Sequence, residues 1–242
     1  MSQNDFRFKQ FVVRQDRCAM KVGTDGVLLG SWVNAGESGR ILDIGTGTGL
    51  IALMMAQKSD AVIDAIDIDE EATGQAAENF YLSPWSSRLN AIRQSVQEFS
   101  SHTPNRYDLI VSNPPYFMGA HLSPSEARNI ARHMDDALSI EELTDCVTRL
   151  LNPEGRFCVI LPYMEGMKFL EYAELHGLYA SHLTKVKTKI DKQEKRLMME
   201  FESVRKELVE DELVIQEEDM SYSHEYIELT REFYMGLPKS RN

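Results

Sequence analysis

Arg40-Ile41-Leu42-Asp43-Ile44-Gly45-Thr46-Gly47-Thr48-Gly49-Leu50-Ile51-Ala52-Leu53-Met54-Met55-Ala56 sets out a strand, a glycine turn and a helix in direct succession. Its first five residues have a buried-strand pattern, and Leu50 to Ala56 read as an apolar helix. Between them, glycines let the backbone approach a ligand that the helix N-terminus then faces. A dinucleotide fingerprint is G-x-G-x-x-G, whereas Gly45, Gly47 and Gly49 give G-x-G-x-G; a triphosphate loop would need G-K-[ST], which is missing. The loop by itself leaves the cofactor open.

Working outward, Ala61 to Asp67 is a second strand, ending in an acid 24 residues after Asp43. A carboxylate there can accept both hydroxyl hydrogens of a ribose. It could instead cap the next helix, but Asp69 is better placed for that. Ala91 to Gln94 is a third strand, closing at Ser95 and Val96, and Tyr107 to Ser112 is a fourth. The fourth ends in Asn113-Pro114-Pro115-Tyr116, whose prolines stop sheet pairing and stiffen the backbone. Open α/β sheets bind ligands at the carboxyl ends of strands. The glycine loop and the Asn-Pro-Pro-Tyr tetrad are therefore expected to face each other.

The remaining chain supplies the frame. Phe6, Phe8, Phe11 and Val13 suit a hairpin, and Asp25 is placed to cap a helix through Leu28, Leu29 and Trp32. This N-terminal part reads equally as a plug or as a ligand-contacting segment. Phe117 to Met134 is polar and irregular, a lid, a binding segment or disordered. Ser139 and Glu142 form a capping box, Arg156 to Leu161 is a fifth strand, and Tyr163 to His176 is a helix closed by Gly177. Leu183 to Ile190 and Arg196 to Val204 make a terminal hairpin, and Met220 to Met235 a final helix. One domain follows: residues 1–37 as an extension, 38–205 as the core, and 206–242 as an acidic tail with a terminal helix.

The 242 residues carry a net charge of −12, which alone disfavours a nucleic-acid partner. The charge is uneven, however. Glu207 to Glu232 hold ten acids against Arg231, while Lys185, Lys187, Lys189, Lys192, Lys195 and Arg196 face only Asp191 and Glu194. Such a basic strip can bind phosphate locally, or simply be a solvated hairpin edge. No apolar run is long enough to span a membrane, and the polar start lacks a signal core. Cys18, Cys146 and Cys158 have no metal-ligand spacing, so reduced thiols, a cytoplasmic location and no metal are expected.

With Asp-x-Gly-x-Gly-x-Gly, the acid closing the second strand and Asn-Pro-Pro-Tyr closing the fourth, residues 38–205 resemble the class I S-adenosylmethionine-dependent methyltransferases that modify amino nitrogens. Residues Asp16 to Gly30 extend the likeness to the bacterial tRNA adenine N(6)-methyltransferases that act on valine tRNA beside the anticodon. The resemblance implies a Rossmann-like α/β fold, with a mostly parallel seven-stranded sheet, helices on both faces and a C-terminal antiparallel hairpin. It implies S-adenosyl-L-methionine as cofactor, tRNA as partner, and a monomer. The cofactor residues it implies are Asp43, Gly45, Thr46, Gly47 and Gly49 in the loop, with Asp67 and Ile68 at the ribose. Lys21 and Thr24 border the cofactor. Ser95 stands where the family often has an acid for the adenine, leaving Val96 to share that contact.

An adenine amino nitrogen is a poor nucleophile because its lone pair is delocalised into the ring. The Asn113 side-chain oxygen and the Pro114 carbonyl can accept its hydrogens and localise the pair, and Tyr116 can stack on the base. Pro115 would support the base, while Arg128, Arg132, Lys185, Lys187, Lys189 and Lys192 would hold RNA phosphates. The same tetrad also serves enzymes acting on release-factor glutamine, ribosomal RNA guanine or DNA adenine. A non-catalytic binding protein is the remaining alternative.

Overall fold

A computed structural model describes residues 5–114 and 138–236. Eight strands form one sheet in the order β10-β8-β9-β7-β6-β3-β4-β5. They are β3 (Arg40–Ile44), β4 (Val62–Asp67), β5 (Leu89–Arg93), β6 (Tyr107–Ser112), β7 (Leu151–Pro162), β8 (Tyr179–Lys189), β9 (Glu194–Glu202) and β10 (Val209–Gln216). All neighbours are parallel except where β9 inserts antiparallel between β7 and β8. A separate hairpin pairs β1 (Asp5–Arg7) with β2 (Val12–Arg14).

Alternation along the strands sends side chains to two cores. Ile41, Ile63, Leu109, Val111, Ile160 and Met198 meet α1 (Thr24–Trp32), α2 (Leu50–Lys58), α3 (Glu70–Tyr81) and α7 (His224–Thr230). Leu42, Ile66, Ile110, Val159, Met199 and Phe201 meet α4 (Val96–His102), α5 (Ile140–Leu150) and α6 (Tyr163–Leu175). Burying the sheet on both faces explains the near-continuous apolar runs of β3, β4 and β6.

Three expectations change. The sheet has eight strands rather than seven, because the acidic tail contributes β10 beside β8. Leu213 is buried there, while Glu210 and Glu212 reach Lys185 and Lys187 at 2.8 and 2.6 Å. Charge complementarity thus lets a segment dense in acids pair as a strand. Asp25 does not cap α1: Gly23 is the N-cap, and Asp25 in the first turn accepts from Arg196 Nε at 2.8 Å. The final helix starts only at His224, since residues 216–222 form a turn closed by a Gln216–Tyr222 bridge.

Candidate active site

The three loop glycines all sit at positive φ, 72° at Gly45, 54° at Gly47 and 82° at Gly49. Gly49 also has a packing reason, because a Cβ there would come within 2.5 Å of the Phe80 ring. At Gly45 a Cβ would meet nothing within 4 Å, so the loop's outer face opens to a ligand. Asp43 sits fully buried behind the loop rather than on its face. Its Oδ2 accepts from Thr46 Oγ1 (2.6 Å) and from the Ala52 amide (3.2 Å), bracing both ends of the turn. Burial pushes its pKa to about 7, against the pull of those hydrogen bonds, and its Oδ1 has no hydrogen-bond partner among the described residues.

Asp67 closes β4 beside the loop. Its two oxygens accept the amides of Gly47 (2.8 Å) and Asp69 (3.0 Å), and each keeps a second lone pair that a ribose hydroxyl can fill. Burial raises its pKa too, with the Asp69 and Gly47 amide bonds pulling the other way. Ile68, 50% exposed, offers an apolar surface at the same strand end. Asp69 is the helix cap, accepting from Glu71 and Ala72. Ser95 caps α4 by accepting from the Glu98 amide at 3.2 Å, and Val96 is buried beside it.

These features fit S-adenosylmethionine. A glycine cradle open at Gly45, an acceptor pair at Asp67 and two carboxylates costly to ionise alone suit a nucleoside bearing a sulfonium and an ammonium group. A cation placed there relieves the desolvation cost of the carboxylates.

Asn113 follows β6, whose last residue donates Ser112 Oγ to the Ile44 carbonyl at 3.0 Å and ties the two loops together. A cleft of about 680 Å³ joins them, with Lys21, Thr24, Gly45, Thr46, Gly47 and Asn113 in its wall. Gly26 lets α1 lie close, since a Cβ there would stand 3.9 Å from Asn113 Nδ2 and 3.1 Å from Leu50. The N-terminal segment is strapped onto the loop by Asn79, whose amide donates to the Arg14 and Thr48 carbonyls. It is therefore part of the cleft wall. Pro114 is buried at the loop's edge. Pro115, Tyr116, Arg128 and Arg132 lie outside the described residues.

The basic strip is largely matched by carboxylates. Lys185 and Lys187 pair with tail residues, Lys192 pairs with Asp191 at 3.1 Å, and Lys189 donates to the Glu218 carbonyl at 3.3 Å. None of these four lines the cleft, whereas Lys195 and Arg196 of the same strip do. Thr188, Gln216 and Tyr222 also line it, and no motif in the sequence marked them. Among the described residues no cluster of His, Cys, Asp or Glu is suited to a metal, and no helix is long and apolar enough to cross a membrane. The described cysteines are free thiols.

A doubly wound sheet with a glycine cradle at β3 and Asn-Pro at β6 defines a class I methyltransferase. Residues 18–160 match the family model of the methyltransferase small domain, and the chain belongs to that family. Its relatives include the tRNA1(Val) (adenine(37)-N6)-methyltransferase of Bacteroides fragilis strain YCH46, 48% identical over 98% of this chain and 100% of the relative. The enzyme of that name from Trichodesmium erythraeum is 44% identical over 97% and 99%. Among solved structures, a predicted O-methyltransferase from Agrobacterium tumefaciens superposes with a TM-score of 0.68 at 16% identity, over 86% of this chain and 96% of that one. A putative RNA methyltransferase from Pyrococcus horikoshii gives 0.54 at 16%, over 74% and 82%. At such identities the structures speak for the fold alone.

Proposed function

We propose that this protein is a tRNA (adenine-N(6))-methyltransferase that modifies adenine 37, 3′ of the anticodon, in valine tRNA. The observation that carries this is full-length identity of 44–48% to relatives of that name, on a cleft that places Asn113 beside the glycine loop.

S-adenosylmethionine, when bound, supplies a methyl group on an electrophilic sulfonium. Gly45, Thr46 and Gly47 would cradle it, Asp67 would hold its ribose and Ile68 its adenine, with Lys21 and Thr24 on the open side. Asp43 and Gly49 keep the loop in shape. Asn113 Oδ1 and the Pro114 carbonyl accept hydrogens from the target amino group, localising its lone pair toward the methyl. Tyr116 stacks on the base and Pro115 supports it. Catalysis is then mostly positioning. An anticodon-loop base is already unpaired, so presenting it costs less than extrusion from a duplex. The protein acts as a monomer, and Arg128, Arg132 and those strip lysines that exchange a carboxylate for a phosphate hold the RNA backbone.

Labelled methyl transfer to unmodified bulk tRNA, followed by nucleoside analysis, is the test. N(6)-methyladenosine confined to valine tRNA is expected. Methylguanosine, or label in a protein glutamine, would move the enzyme to another branch of the family.

A further inference from the structure

The cleft extends well past Asn113. From the glycine loop at β3 its wall continues over β9 and β8 to β10, five strand steps or roughly 24 Å at ~4.8 Å each. A single purine at Asn113 fills only the inner part. The outer part is built by Thr188, Lys195, Arg196, Gln216 and Tyr222.

Three observations give this outer part a chemical character. First, Tyr222 is 44% exposed, and its ring is backed by buried Tyr226 at 4.9 Å between centroids. Second, the turn that presents Tyr222 is held in an unfavourable conformation. Met220 is the one non-glycine residue at positive φ (71°) among those described, and it is itself exposed. The Asp219 carboxylate accepts from both the Ser221 amide and hydroxyl, and Ser223 donates its amide to Ile215 and its hydroxyl to the Val214 carbonyl. Strain kept by so many bonds marks a turn whose position matters. Third, Lys195 alone in the basic strip has neither an ion pair nor a side-chain hydrogen bond among the described residues, and it lines this same wall. A rigid, half-exposed ring and an unmatched cation on one cleft wall are the pairing that binds a base and its phosphate in single-stranded nucleic acid.

We propose that the outer cleft is a subsite for an unpaired nucleobase flanking the methylated adenine, stacked on Tyr222 with a neighbouring phosphate at Lys195. This rests on the RNA reading above. Arg196, held by Asp25 of α1, lines the same wall.

The test uses the full chain and valine anticodon stem-loop RNAs carrying 2-aminopurine one nucleotide 5′ or 3′ of the target adenine. Stacking quenches this probe. At saturating protein, wild type and Tyr222→Phe quench one of the two RNAs, whereas Tyr222→Ala does not and binds RNA about tenfold to a hundredfold more weakly. Cofactor affinity stays unchanged in all three. Lys195→Gln leaves the quench intact and lowers the salt slope of binding by about 0.7, one phosphate. Equal quenching by wild type and Tyr222→Ala, or none at either position with wild type, overturns the subsite. If wild type instead quenches nothing and transfers no methyl to unlabelled RNA, the RNA reading itself fails and the subsite with it.

Discussion

The two ends of the cleft are held together by different physics. At the glycine loop, backbone dihedrals and buried carboxylates set the geometry: three glycines at positive φ, Asp43 bracing the turn from behind, and Asp67 holding the Gly47 amide. At the outer end, side chains set the geometry through the Arg196–Asp25 pair and the Tyr222 turn, while the Lys185 and Lys187 ion pairs to β10 lie on the same strands outside the cleft. The first end is a rigid cradle almost indifferent to salt. The second is screened, adjustable and able to trade a carboxylate for a phosphate. A small cofactor and a large polyanion place these different demands on one cleft.

The largest effect is expected where the two ends meet, at Asn113. Asn113→Ala should lower methyl transfer by several orders of magnitude and leave cofactor affinity near wild type, as measured by single-turnover transfer and calorimetric titration. Parallel loss of both would assign Asn113 to the cradle.

Next in size is a pH effect confined to the cradle. Asp43 is raised to about 7 in the folded protein against about 3.9 unfolded. Between these values the folded form holds a proton that the unfolded form releases. The stabilisation is therefore complete below about pH 4 and lost as pH rises through 7, at up to about 1.4 kcal/mol per pH unit. Denaturant titrations of Asp43→Asn across that window should show this slope removed; an unaltered slope would mean that another group carries it.

The smallest effect belongs to the outer end. Replacing Glu210 and Glu212 by glutamine frees Lys185 and leaves Lys187 only Glu194, at 3.6 Å, so RNA binding should tighten and its salt slope should steepen by about 0.7 for each phosphate newly reached. An unchanged slope would place both lysines away from the RNA path.

How much of this was legible in the sequence follows the same division. The cradle is local: strand, glycines and helix are contiguous, Asp67 lies one βα unit on, and Asn113 ends its own strand with prolines. Each role follows from a residue type in a short window. The capping box at Ser139 and Glu142 was readable for the same reason. The outer end joins Asp25 to Arg196 and β8 to β10, contacts whose partners are far apart in the chain. Ten acids between Glu207 and Glu232 hid the strand in Leu213-Val214-Ile215, because their complement lies on β8 and not nearby in sequence. Tyr222 looked like one face of a helix; only the bridge to Gln216 shows that it belongs to a turn. Ser95 was noted for the acid it replaces, and its place as the cap of α4 explains why a small hydroxyl suffices there structurally.

The acidic strand has one more consequence, for solubility. Without β10, the 11-residue β8 would end the sheet with a row of unpaired backbone groups, open to pairing with any other extended chain. With β10 in place the sheet ends instead on an eight-residue strand carrying Glu210, Asp211 and Glu212 in succession. A second copy approaching that edge meets its own negative charge. Replacing Glu210, Asp211 and Glu212 together by threonine should therefore leave the glycine cradle intact but let copies of the protein self-associate through the β10 edge.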